Sequence, residues 1–139
     1  MRKNIKSTGI LALTVIVMLG LLSFTSPRIL LPDDWEVPAK YKSMKNPQKD
    51  ADDEDEIGKS LYKKHCQSCH GKEGYGDGTK AAELETEMRD LTAEEVQSQS
   101  DGAMYYKSVI GRDEMPNFEK KIPSEEDRWL VINYLRTLE

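Results

Sequence analysis

The chain has 139 residues, 37% hydrophobic and 32% charged, which is room for one small domain with extensions and too little for a large multidomain enzyme. Nine glycines and six prolines exclude collagen-like and low-complexity classes, and two cysteines three positions apart exclude a disulfide framework. The net charge is −5, and setting aside the three basic residues Arg2, Lys3 and Lys6 leaves −8 on residues 27–139, which argues against a nucleic-acid partner.

Residues 1–8 are polar and basic. Gly9 to Phe24 reads GILALTVIVMLGLLSF, with no charge between Lys6 and Arg28. A basic flank before an apolar stretch is the pattern of an export leader whose flank stays on the cytoplasmic side. The run is slightly long for a cleaved leader and slightly short of the roughly 20 residues of a spanning helix. Ser23-Phe24-Thr25 is the one weak cleavage candidate. The expectation is a hydrophobic helix within residues 1–26 that stays uncleaved and anchors the exported chain in the membrane through residues 9–24. The alternative is cleavage and a soluble periplasmic protein.

Residues 27–56 read as a disordered tether. Pro27, Pro32, Pro38 and Pro47 punctuate it, and Asp50 to Glu56 holds six acids in seven positions, a block that repels itself. Its last acids suit the first turn of a following helix, where the dipole favours negative charge.

Residues 57–139 form the candidate domain, read as all-α with four helices. The first is expected from about Asp55 to Cys66, with Ile57, Leu61 and Tyr62 along one face. A loop with Gly71, Gly74, Gly76 and Gly78 follows. Thr92 with Glu95 gives a capping-box signature for a short helix, and Asp101 is a candidate cap for another that ends at Gly111. Ser124, three residues before Asp127, opens the last helix, whose apolar stripe is Val131, Tyr134, Leu135 and Leu138. A domain of this size with dense charge and no disulfide needs another source of apolar surface, and a large flat buried cofactor would supply it.

Cys66-Gln67-Ser68-Cys69-His70 is C-x-x-C-H, the attachment signature of c-type haem. Thiols at i and i+3 lie on one side of a helical turn, so each can reach one vinyl group. The next residue then brings its imidazole to the iron. A redox dithiol expects a βαβ context that is absent here. A zinc cage would have to come from Cys66, Cys69 and the crowded His65 and His70, which strains a tetrahedron. His65 points away from the iron on a helix and reads as an exposed or packing residue. For the sixth ligand the domain offers Met88, Met104 and Met115. Met104 sits inside a helix and reads as core, and Met88 lies among charges. Met115 precedes Pro116, which favours an extended loop that can hang a thioether over iron. Met115 is preferred, with the other two methionines and an open site as alternatives.

Over residues 56–139 the chain resembles the class I monohaem cytochromes c. The resemblance rests on CQSCHG at 66–71, the glycine-rich run, Met115-Pro116 and helices at both ends. In that family a glycine and an aromatic of the first helix meet an aliphatic and an aromatic of the last. Gly58 and Tyr62 stand at that spacing, with Val131 and Tyr134 at the partner positions. The family's proline carbonyl that accepts from the proximal imidazole has no counterpart, since no proline lies between His70 and Met115. A carbonyl within Gly76–Ala81 is expected in its place.

The resemblance implies a small cytochrome c-like helical domain wrapped around one covalent haem c. Cys66 and Cys69 form the thioethers, and His70 and Met115 are the axial iron ligands. The implied function is one-electron transfer as a respiratory-chain carrier rather than an enzyme. Its expected partners are redox proteins such as a quinol-oxidising complex and a terminal oxidase. Two other readings stay open. One is a gas-binding or peroxidase-like haem protein with an open sixth site, and the other is a structural haem subunit of a membrane complex.

Overall fold

The structure, a computed structural model, describes residues 35–138. Helix α1 is Ala39–Lys42, α2 is Ile57–His65 and α3 is Gln67–His70. After a 3-10 turn at Ala81–Glu83 come α4, Glu94–Gln97, and α5, Asp101–Tyr105, which runs on as a π-helical turn, Tyr106–Ile110. The last helix, α6, is Glu125–Leu135. Among the described residues there is no strand, only an isolated antiparallel bridge between Arg112 and Met115. The described part is thus all-α, as expected. The expected apolar helix within residues 1–26 lies outside the described residues. Among those described, no helix is long and apolar enough to cross a membrane.

Helices α2 and α6 cross at Gly58. A Cβ there would lie 2.2 Å from the Leu130 carbonyl oxygen and 3.2 Å from Tyr134 Cβ. Only glycine admits an approach this close. One turn on, the Tyr62 and Tyr134 rings meet with centroids 5.2 Å apart. The crossing foreseen from the sequence is therefore present. Val131 is buried, and the backbone that Gly58 admits is that of its neighbour Leu130.

The ends of these helices follow from local chemistry. At α2 the Asp53 carboxylate accepts from the Ile57 and Gly58 N–H groups, each at 2.8 Å. One acid of the 50–56 block thus satisfies two amides that a helix start leaves unpaired. At α6 the Ser124 hydroxyl accepts from the Asp127 N–H at 3.1 Å, the cap expected from the sequence. Two expected caps need correcting. Ser100, not Asp101, caps α5, accepting from the Ala103 N–H at 3.2 Å. Asp101 is instead paired with Arg136 at 2.7 Å. Thr92 does not cap α4: its hydroxyl donates to Asp90 Oδ1 at 2.7 Å.

The tether expected over 27–56 also needs correcting across its described part. Residues 35–56 lie within the compact unit Asp34–Glu139 and pack as a strap. Val37 is buried. Pro38 is the N-cap of α1, with φ −58° already set by its ring. The Tyr41 ring lies 4.7 Å from that of Tyr106. A Cβ on Gly102 would fall 2.0 Å from the Tyr41 carbonyl oxygen, so α5 receives the strap at a glycine. Asn46 Nδ2 donates to Asn133 Oδ1 at 2.8 Å, and Asn133 Nδ2 donates to the Gln48 carbonyl at 2.6 Å. The prolines punctuate this segment without unfolding it, because side chains far along the chain meet its backbone groups.

The core runs from Tyr62 through Met104, Tyr105, Val109 and Phe118 to Trp129, Ile132 and Leu135. Tyr105 stacks on Trp129 at 4.2 Å, and Arg128 Nε donates to the Tyr105 hydroxyl at 2.7 Å.

Candidate haem site

Cys66 ends α2 and begins α3. The Cys69 and His70 N–H groups both donate to the Cys66 carbonyl, at 3.1 and 3.0 Å. This single turn carries both cysteines on one short arc with His70 next in line. Both cysteines are free thiols. Burial pushes the Cys66 thiol up to about 12, so it sits protonated in apolar surroundings. Burial likewise lowers the His70 imidazole, which keeps the ring neutral as a metal ligand requires.

The glycine-rich loop folds back over this turn. Gly76 N–H donates to the His70 carbonyl at 2.9 Å, Gly78 N–H to that of Cys69 at 3.1 Å, and Lys80 N–H to that of Ser68 at 2.8 Å. A Cβ on Gly78 would lie 2.4 Å from the Ser68 carbonyl oxygen, which explains the residue. Gly71 has φ +83° and turns the chain out of α3. Its carbonyl accepts from the buried Tyr62 hydroxyl at 2.7 Å.

The loop therefore gives N–H donors to the motif. The carbonyl expected within Gly76–Ala81 for the His70 ring is not supplied: His70 Nδ1 is buried without a hydrogen-bond partner. The physical reason is direction, since three amides of the loop already point inward at residues 68–70.

The three methionines separate clearly. Met104 is buried in the core at 3% exposure. Met88 is half-buried, its backbone and Cβ lying against Gly76. Met115 is half-buried at the edge of the core cluster, as is Cys66. It stands at the end of a tight turn, closed by its own N–H donating to the Arg112 carbonyl at 2.8 Å. Gly111, at φ +69°, makes the turn possible, because a Cβ there would lie 2.3 Å from the Met115 carbonyl oxygen. His65 packs as expected: its ring meets Phe118, three residues after Met115, at 5.8 Å. The helix that presents the thiols and the loop that presents Met115 thus share one contact.

Sequence reasoning missed the groups that hold the Met115 turn. Glu114 Oε2 accepts from the Thr86 N–H at 2.7 Å and Oε1 from the Glu85 N–H at 3.1 Å. Hydrogen bonds from Thr86, and after them that from Glu85, hold the Glu114 carboxyl below its ordinary value. Arg112 lies over the Trp35 ring of the strap, 4.6 Å from its centroid. Among the lysines, Lys72 pairs with Glu73 at 3.1 Å, Lys121 lies over the Phe118 ring, and Lys107 is half-buried.

Two unpaired thiols on one turn, a neutral imidazole with an orphaned nitrogen and a soft thioether at the core edge fit a haem group held by sulfur and nitrogen. Among the described residues no cluster of three or more His, Cys, Asp or Glu side chains is placed to hold a metal ion by itself. No curated protein matches the chain. The family model described as cytochrome C oxidase, cbb3-type, subunit III, matches residues 53–135, more than half of the chain. Its span begins at the Asp53 cap and ends at the last residue of α6, so it coincides with the α2–α6 frame that carries the motif. The chain belongs to that family and is a monohaem c-type cytochrome, whose covalently bound haem c serves electron transfer.

Proposed function

We propose that this protein is a one-electron carrier of a respiratory chain, with one haem c held by Cys66 and Cys69 and ligated axially by His70 and Met115. Bound haem supplies an iron couple that takes up and releases single electrons. The protein's residues do the rest. Cys66 and Cys69 tie the group to the α2–α3 turn. His70 presents a neutral ring nitrogen, and the α2–α6 crossing fixes the turn that carries it. Met115 would supply the second protein ligand to the iron, which would leave no open position for a substrate and favours a carrier over an enzyme. A sulfur ligand in a poorly hydrated setting also raises the potential. The observation that carries this reading is the placement of Met115 on a closed turn at the edge of the core that Cys66 also borders, while Met104 is deep inside and Met88 lies with its backbone and Cβ against Gly76.

The family's printed description supports a place beside an oxidase complex. We take the partners to be a quinol-oxidising donor and a terminal oxidase. The basic flank and apolar stretch 9–24 support a chain anchored in the membrane with the haem domain outside the cytoplasm.

Met115→Ala tests the ligand assignment. It should abolish the weak red absorption band of sulfur-ligated ferric haem, lower the potential and open the iron to carbon monoxide. Met104→Ala should keep the band and cost about 2–5 kcal/mol of stability through the cavity it leaves. An unchanged axial spectrum in Met115→Ala would rule Met115 out.

A further inference from the structure

The turn that carries Met115 is closed by its own backbone and anchored from outside. Gly111 takes φ +69° freely, whereas Asp113 at φ +50° sits in the left-handed region that disfavours a residue with a side chain. Within the turn, the Met115 N–H to Arg112 carbonyl bond closes the base. From outside, Arg112 lies over the Trp35 ring and Glu114 supplies a hydrogen-bonded anchor. Its two carboxylate oxygens take the successive N–H groups of Glu85 and Thr86, at 3.1 and 2.7 Å, across 29 and 28 residues of chain.

The segment at the other end of this clamp is itself tied to the haem-attachment motif. Lys80 N–H donates to the Ser68 carbonyl, and the 3-10 turn Ala81–Glu83 leads directly to Glu85. A short path therefore runs from the thiol-bearing turn through residues 80–86 and the Glu114 carboxylate to the backbone of Met115.

We propose that Glu114 is a positioning residue for the sixth ligand: its carboxylate clamps the Met115 turn to residues 85–86 and so fixes Met115 relative to the Cys66–His70 motif. This rests on Met115 being the iron ligand. Glu114 acts through the backbone, so its loss should change how often the thioether leaves the iron and leave haem attachment intact.

Cyanide binding to the ferric full-length holoprotein reads that event directly, because an anion enters only when the thioether has left. An exposed, water-screened pair of charge-assisted hydrogen bonds biases such an open–closed balance by up to about fivefold. Glu114→Ala should therefore speed cyanide association about fivefold and weaken the red sulfur–iron band. Glu114→Gln, which keeps one acceptor oxygen, should fall between this and the unaltered protein, and it stands as the test if the alanine variant folds poorly. Asp90→Ala removes another exposed carboxylate, one that accepts from the Thr92 N–H and hydroxyl, and should leave the rate unchanged. Cyanide rates in both Glu114 variants within twofold of the unaltered protein, while Met115→Ala opens the iron, would overturn the clamp and keep the ligand. An equal rise in Asp90→Ala would overturn it as general loosening. An unchanged axial spectrum in Met115→Ala would remove the ligand assignment itself and the clamp with it.

Discussion

The Tyr62 hydroxyl donates to the Gly71 carbonyl at 2.7 Å, tying the middle of α2 to the residue that follows His70. Tyr62 is 1% exposed, and burial raises its hydroxyl well above the ordinary tyrosine range, so it remains a donor at any physiological pH. Tyr62→Phe keeps the ring against Tyr134 and leaves the Gly71 carbonyl without its donor. The expected loss is about 1–3 kcal/mol, the cost of an unsatisfied buried acceptor. Denaturant unfolding of the holoprotein, followed by haem absorption, measures it. A midpoint equal to that of the unaltered protein would show that water replaces the hydroxyl.

Gly58→Ala should be among the most damaging single changes in the domain. The new methyl would fall 2.2 Å from the Leu130 carbonyl oxygen, a backbone atom that cannot swing aside. Overpacking of this kind costs about 1–3 kcal/mol or more. Thermal unfolding should show a lowered midpoint. Because α2 carries Cys66, haem incorporation during expression should also fall.

Covalent attachment is directly measurable. Denatured protein should keep its haem on a gel, and the intact mass should exceed the polypeptide by one haem. Cys66→Ala with Cys69→Ala should abolish both signals. Haem still covalently bound in that double variant would refute the role of the two thiols.

The α2–α6 frame was legible because its parts are local or periodic. Gly58 and Tyr62 mark a crossing by spacing alone, Ser124 marks a helix start, and C-x-x-C-H compresses the attachment site into five residues. The core of α6 was read too narrowly. Trp129 and Ile132 are 1% and 0% exposed although they lie off the expected stripe, because the helix is covered on several sides and a buried helix has no one-sided period. The strap and the Glu114 clamp were illegible for a different reason. Asn46 meets Asn133 across 87 residues, and Glu114 meets Thr86 across 28. Nothing in the composition of either segment announces such a partner, and prolines with acids suggest an open chain until the distant backbone groups are in place.

The packing of the strap changes how the membrane proposal is tested. A chain starting at Trp35 behind a cleavable leader retains Val37, α1 and the Asn46 contacts. It should fold with an unchanged spectrum and potential, and it should be recovered in the soluble fraction. The full-length chain should sediment with membranes. A soluble mature product that starts near Ser26, recovered when the whole chain is expressed, would remove the anchor.

The π-helical turn Tyr106–Ile110 sets the phase of everything after it. Its hydrogen-bonding loop is one residue longer than that of the α5 helix it continues. An α-helix advances about 100° per residue, so one residue added or removed here would rotate the exit at Gly111 by about that angle. Val109 is buried, and its carbonyl accepts from Phe118 N–H at 2.8 Å, which makes that exit direction part of the core. The segment should accordingly accept changes of side chain at its half-buried positions and reject changes of length. Deleting Ser108 would leave every residue from 111 to 118 chemically intact and aim Met115 somewhere else.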